Sequence, residues 1–255
     1  MTVHLSVRDL RKSYGGMPVL SEIGFDIPKG EIAALIGPNG AGKSTLFSIL
    51  GGALAADGGS VLLNGAAILG LPPEAVAKKG VGRTFQTSAP YRSLSVIDNL
   101  LVIAAGGAGL LARLARPLAA WPRQPALDAL AEVGLAEMAD APARALSYGD
   151  AKRLELAMAL ARDPSLLLMD EPTAGMAPSE RAAFMDMVRE RSRARGMTVL
   201  FTEHDMATVF GFATRILVLD RGRLIADDAP GAIRDDALVR RAYLGSAPVP
   251  PTKPL

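Results

Sequence analysis

The chain has 255 residues, no cysteine, two histidines and a formal net charge of +2. The lack of cysteine excludes disulfides, thiol catalysis and cysteine metal sites, and two histidines are too few for a histidine-only metal cage. The charge is too small to argue for nucleic acid by itself. With 49% apolar and 21% charged residues, the chain is of ordinary globular composition and long enough to bury one full core.

Val3, Leu5 and Val7 alternate with His4, Ser6 and Arg8, the period of a half-buried strand. A turn at Ser13-Tyr14-Gly15-Gly16 leads to a second strand from Val19 to Ile27, ended by Pro28-Lys29-Gly30. Residues 31 to 37, EIAALIG, form a short apolar run that suits a buried strand. GPNGAGKST follows at 37 to 45, and beyond it Leu46, Ile49, Leu50 and Ala53 recur at helical spacing. Ser60 to Leu63, turned at Asn64-Gly65, adds to an antiparallel flap. Pro72 to Lys79 predicts a short helix and Val81 to Phe85 a short strand.

From residue 87 to 163 strand-like runs vanish and Ala and Leu dominate. Ile97, Leu100, Leu101 and Ala104 keep helical spacing, as do Leu127, Leu130 and Ala131, which predicts a helical insertion. Within it, residues 105 to 125 read as a surface loop or short helix. Strands return at Ser165 to Asp170, Thr198 to Thr202 and Arg215 to Leu219, with a turn at Arg221-Gly222 into Arg223 to Ala226. A helix is predicted from Ser179, an N-cap after Pro178, with Phe184, Met187, Val188 and Arg191 on one face. Buried apolar runs alternating with helices mean a parallel sheet. The expected fold is α/β: a mostly parallel core from 1–86 and 165–245, an N-terminal antiparallel flap, and a helical subdomain over 87–164. The tail 246–255, SAPVPPTKPL, reads as disordered.

The start has no apolar core of signal-peptide type, and the longest apolar run, Leu100 to Ala112, falls short of the about 18–20 residues that span a bilayer. A cytosolic protein that meets a membrane only through a partner is expected. The basic run Arg189, Arg191, Arg193 and Arg195 reads as a solvated helix face.

The glycine-rich stretch joins a strand to the start of a helix, where free backbone N–H groups and the helix dipole favour an anion. Gly37, Gly40 and Gly42 let the backbone curl so that its amides point inward. Lys43 reaches terminal phosphates, and the Ser44 hydroxyl suits magnesium, a hard cation that prefers oxygen. The spacing Gly37-xxxx-Gly42-Lys43-Ser44 is the phosphate-binding loop pattern of a P-loop NTPase. The whole stretch, Gly37, Pro38, Asn39, Gly40, Ala41, Gly42, Lys43, Ser44 and Thr45, is therefore the candidate nucleotide-phosphate site. In P-loop enzymes an apolar run such as LLLMD is a central strand whose terminal acid faces this loop. Asp170 fits as the magnesium partner through water, and Glu171 as the group that polarises the attacking water.

The stretch from Leu146 to Pro164 opens with Leu146-Ser147-Tyr148-Gly149-Asp150. Here the chain resembles the ATP-binding-cassette ATPases, whose signature is Leu-Ser-Gly-Gly-Gln. Ser147 and Gly149 offer a hydroxyl and an amide at a second helix start, with Leu154, Ala157, Met158 and Ala161 as the expected buried face. By resemblance, this element contacts the γ-phosphate bound by a second ATPase subunit. Tyr14 resembles the aromatic that stacks on adenine. Gln86 resembles the glutamine that senses magnesium and touches the membrane partner, and His204 in TEHD resembles the switch histidine at the γ-phosphate. The resemblance covers about residues 2 to 245.

Two departures from the family pattern matter. Asp150 replaces the usual Gln or Glu, and Ala174-Gly175-Met176-Ala177 replaces Ser-Ala-Leu-Asp, so subunit communication through that aspartate is not carried over. GVGRTFQ, YRSLSVIDNL, LSYG, EPTAGMAPSE and RRAYLG resemble the larger ATPase type of branched-chain amino-acid importers. That resemblance implies a pair of ATPase chains, two membrane permeases, a periplasmic solute-binding protein and a place on the cytoplasmic face of the membrane. Related systems carry urea, amides or aromatic acids. An exporter ATPase runs against the branch motifs. A soluble relative acting on nucleic acid or ribosomes would carry a coiled-coil insertion or two cassettes, and this chain has neither; no nucleic-acid partner is expected.

Overall fold

The structure is a computed structural model that describes residues 2–84, 90–106 and 117–244. Strands β1 (Val3–Tyr14) and β2 (Met17–Pro28) form a long antiparallel hairpin, with Leu5 opposite Ile27 and Tyr14 opposite Met17. The first strand runs through Ser13 and Tyr14. The turn is confined to Gly15 and Gly16, both at positive φ as a two-residue hairpin requires. β3 (Ile32–Ile36) leaves this flap for the core, and β4 (Gly58–Leu63) with β5 (Ala66–Ala67) returns to it. The flap order is β2-β1-β4-β5.

The second sheet joins β3 to β6 (Val81–Thr84), β7 (Leu166–Asp170), β8 (Thr198–Thr202), β9 (Arg215–Asp220) and β10 (Arg223–Asp228), in the order β10-β9-β3-β8-β7-β6. Its pairings are parallel except β9 with β10. Every residue of β3, β7 and β8 is buried, as their unbroken apolar runs require of strands covered on both faces. Because strand side chains alternate, β3 feeds two cores. Ala33 and Leu35 pack with the flap residues Leu5, Ile23 and Phe25, while Ile32, Ala34 and Ile36 face the helical side.

The described α-helices are α1 (Lys43–Leu50), α2 (Pro73–Lys78), α3 (Val96–Gly106), α4 (Gln124–Glu132), α5 (Tyr148–Leu160), α6 (Pro178–Arg195), α7 (Met206–Phe212), α8 (Pro230–Asp235) and α9 (Ala237–Val239). In chain order α3, α4 and α5 all lie between β6 and β7, and Ile97, Leu100, Leu130, Leu154 and Ala157 join the same buried cluster as Leu167. Of the stretch 105–125, α3 takes the first two residues, Leu118–Ala120 makes a 3₁₀ turn and α4 begins at Gln124. Residues 107–116 and the tail 246–255 lie outside the described residues. No described helix is long and apolar enough to cross a membrane.

Two helix faces differ from the sequence expectation. On α5 the buried residues are Leu154, Leu156, Ala157 and Leu160, while Met158 is half-buried and Ala161 exposed. On α6 they are Phe184, Met185, Val188 and Ser192, with Met187 and Arg191 at the margin. On α5 apolar residues outnumber what one face can hold and packing chooses among them; on the mostly polar α6 the buried stripe runs through Met185 and Ser192, whose hydroxyl donates to the Met197 carbonyl at 2.6 Å. The start of α6 also differs. Its N-cap is Ala177, Pro178 is the first helical residue and Ser179 lies inside the first turn. Proline is favoured there because its missing N–H has no helical partner to lose. The Ala177 N–H is instead taken by the Glu180 carboxylate at 3.2 Å.

Candidate functional site: a phosphate loop facing an acid–imidazole pair

β3, β8 and β7 lie side by side, so the loops leaving Ile36, Thr202 and Asp170 meet at one edge of the sheet. The carboxyl edge of a parallel sheet is where ligands bind in such folds. The loop after β3 is shaped by glycines that admit no side chain. Gly37 has φ +150°, and a Cβ on it would fall 1.9 Å from the Leu219 carbonyl oxygen. Gly42 has φ +106°, and a Cβ there would lie 2.9 Å from the Val19 carbonyl oxygen. α1 then starts with Gly42 as N-cap, without a side-chain cap and without an acid in its first turn. Its first amides are left to an anion.

Lys43 is 9% exposed. Its Nζ donates to the carbonyls of Gly37 at 2.6 Å and Pro38 at 3.0 Å. Burial pushes its ammonium pKa down, and the charges of Glu171 and Asp170 partly restore it. A half-desolvated cation held by its own loop gains most from an anionic ligand. Ser44 is exposed beside it.

Asp170 ends β7, buried at 7% exposure, and its Oδ1 accepts from the Thr202 hydroxyl at 2.6 Å. The next residue, Glu171, has φ +48°, uncommon for a side-chain-bearing residue and a sign of imposed geometry. Its N–H donates to the Thr202 hydroxyl at 3.0 Å, which fixes that backbone. Glu171 Oε1 lies 2.9 Å from Nε2 of His204, the second residue after β8. Below the pair, the buried Glu203 carboxylate accepts from the Thr173 N–H at 2.8 Å and the Thr173 hydroxyl at 2.7 Å. Glu203 therefore bridges the loop carrying Glu171 and the loop carrying His204.

These groups enclose a cleft of about 380 Å³, bounded by Tyr14 and Val19 on the flap side, by Asn39 to Thr45, and by Glu171 and His204 opposite. Tyr14 is half exposed, with the Lys12 ammonium 5.6 Å from its ring centre. An aromatic face at the mouth and amides and an ammonium at the floor match a base at one end and phosphates at the other. For magnesium, the described residues offer no cluster of three acids or histidines. That thin donor set suits an ion that keeps its waters and arrives on phosphate oxygens, needing only one or two hard oxygens from the protein. Ser44 and Asp170 fit that need.

Not every predicted residue joins the cleft. Ser147 and Gly149 sit at the start of α5, and Ser147 lines a separate hollow of about 410 Å³. The Ser147 hydroxyl caps α5, accepting from the Asp150 N–H at 3.1 Å and donating to the Asp150 carboxylate at 2.7 Å. Gln86 lies outside the described residues. Conversely, Thr202, Glu203, Thr173 and Val19 escaped sequence reasoning. Thr202 and Glu203 had a signal, standing directly before His204; Val19 had none, since only the hairpin brings it to the cleft.

The fold and cleft define a P-loop nucleotide-binding protein of the α/β class. The ABC transporter family model matches residues 20–174. Among curated proteins, the chain is 38% identical over 250 residues to the high-affinity branched-chain amino acid transport ATP-binding protein LivG of Escherichia coli strain K12, covering 95% of this chain and 98% of that one. It is 35% identical, with the same coverage, to the corresponding protein BraF of Pseudomonas aeruginosa. It is 34% identical over 244 residues to the lipopolysaccharide export system ATP-binding protein LptB of E. coli K12, covering 94% and 97% of the two chains. Among solved structures, a nucleotide-free ATP-binding cassette from an ABC transporter superposes with TM-score 0.86 at 30% identity, covering 96% of this chain and all of that one. The ADP conformation of an ATP-binding cassette superposes with TM-score 0.85 at the same identity and coverage. The chain belongs to the ABC transporter family, as an ATP-binding cassette that hydrolyses ATP.

Proposed function

We propose that this protein powers an ABC importer for branched-chain amino acids or a related small solute. The observation that carries the reading is the cleft itself, which sets a phosphate loop against the Glu171–His204 pair, 2.9 Å apart. The likeness to LivG and BraF over nearly the full chain supports the transport class.

In this reading Tyr14 stacks on adenine and the amides of the Gly37–Thr45 loop wrap the phosphates. Lys43 turns from its loop carbonyls to the β- and γ-phosphates. Ser44 and Asp170 would hold magnesium, which would neutralise charge on the phosphate oxygens, and Gln86 would sense it. Glu171 orients a water for in-line attack and takes its proton as the bond from the γ-phosphorus to the ADP oxygen breaks. His204 holds Glu171 by one oxygen and stands ready to contact the γ-phosphate. Ser147 and Gly149 serve the nucleotide of a second ATPase subunit, so that two nucleotides close a pair of chains. The pair drives two permeases at the cytoplasmic face of the membrane, fed by a periplasmic solute-binding protein. Work comes from the difference in pairing affinity between ATP and ADP states.

The test is co-purification from its native host to find whether permease subunits come with it, followed by ATP-dependent uptake of leucine, isoleucine and valine into proteoliposomes. Uptake of any of them supports the reading. Assembly with an exporter permease, or with nucleic acid, overturns it.

A further inference from the structure

Tyr148 stands where the family signature has glycine, and none of the nucleotide chemistry above uses it. Its hydroxyl donates to the carbonyl oxygen of Ala174 at 2.7 Å. Its ring lies on Gly175, where an added Cβ would come within 3.2–3.3 Å of the phenol atoms. Gly175 has φ +80°, so the turn and the ring contact both favour a residue without a side chain there. One residue along, Gly149 lies near Glu180, where an added Cβ would meet Oε1 at 3.7 Å, and the other oxygen of Glu180 accepts from the Ala177 N–H. The start of α5 therefore touches the turn 174–177 through Tyr148, with Glu180 beside it.

That turn leads back to the catalytic candidates on two sides. The Ala174 N–H donates to the Glu171 carbonyl at 3.2 Å. On the far side, Arg181 donates from Nε to the Met176 carbonyl at 2.8 Å, and its Nη1 lies 3.7 Å from Asp205, the neighbour of His204. Glu203 closes the ring through Thr173. A connected set of hydrogen bonds and a glycine-fitted ring thus joins the α5 start to the residues holding Glu171 and His204.

We propose that Tyr148 is a positioning residue that couples the start of α5 to the Glu171–His204 pair of its own chain. The inference rests on the paired reading above, in which α5 serves the partner's nucleotide and Glu171 its own chain's. One chain then reports the occupancy of one site to the other. With Ala177 carrying no carboxylate, this link runs through the tyrosine hydroxyl and a backbone carbonyl. The bond is neutral and its donor is half exposed, so it is cheap to break, and its loss is worth about 2- to 10-fold in coupling.

The experiment is ATPase rate against ATP concentration on the purified hydrolysing complex, comparing wild type with Tyr148→Phe, which keeps the ring on Gly175 and removes only the hydroxyl. Wild type gives a Hill coefficient above about 1.5, against a ceiling of two sites. The variant gives a coefficient near 1 and a kcat reduced about 2- to 10-fold. Its nucleotide Kd and its unfolding midpoint stay at wild-type values, which separates positioning from a merely structural role. A variant with wild-type Hill coefficient and kcat overturns the proposal, and so does a wild type that hydrolyses without cooperativity. A Glu171→Gln complex in which ATP stabilises no pair of cassettes would overturn the paired reading itself.

Discussion

The sheet edge and the helical stretch between β6 and β7 bring their residues to nucleotide chemistry in different ways. At the edge, three buried strands stop at Ile36, Asp170 and Thr202, and the sheet order alone sets their loops together. There the chemistry follows directly from where an apolar run ends in a glycine or an acid. In the helical stretch the start of α5 borders a hollow separate from that cleft, and its contact with the site is indirect, through Tyr148 and Ala174. A strand edge is a local device, complete in one copy; under the paired reading proposed above, the helix start is a shared one that needs a second copy.

The sharpest way to break this contrast is at Glu171. Glu171→Gln keeps the strand, the turn and the bond to His204 but removes the base. ATP hydrolysis should fall at least about 100-fold while nucleotide binding persists. Turnover within a few-fold of wild type would take Glu171 out of the chemistry. Next comes Glu203, a buried carboxylate holding two groups of Thr173. Glu203→Ala strands those donors and should cost about 1–3 kcal/mol of stability, with a several-fold loss of kcat and little change in KM. Denaturant unfolding and steady-state kinetics read both, and an unaltered kcat in a folded variant would confine Glu203 to structure.

The smallest expected effect lies far from both regions. His4 is buried in β1, with Nδ1 2.7 Å from Asn64 Oδ1. Burial lowers its pKa below the ordinary 6.5, with the Asn64 bond offsetting part of the shift. Below pH 6.5 the unfolded chain therefore takes up a proton that the folded chain refuses. The stability this provides is full above 6.5 and lost as pH falls through the lowered folded value. Unfolding midpoints of His4→Gln should decline less than wild type between pH 7 and 5.5; parallel declines would remove His4 from the acid response.

Sequence showed the edge well and the shared device poorly, for a physical reason. Gly37, Asp170 and Glu171 sit at the ends of apolar runs, which period and termination mark in a linear string, and Gly42 and Lys43 follow at the phosphate-loop spacing. The antiparallel flap was equally legible, through Val3, Leu5 and Val7 and the turn at Asn64-Gly65. The faces of α5 and α6 were not, since only tertiary packing selects which stripe is buried. Thr202 and Glu203 act through partners about 30 residues away, at Asp170 and Thr173. The Tyr148–Ala174 bond spans 26 residues and joins a side chain to a carbonyl, which leaves no pattern in sequence.

The claim beneath all of this is that Lys43, buried among its own loop carbonyls, waits for phosphate. Equilibrium titration of the purified protein with MgATP, wild type against Lys43→Ala, tests it most directly. Loss of a charge-assisted contact predicts an affinity lower by about 10- to 100-fold in a variant that is still folded. Equal affinity in the two proteins would contradict the account.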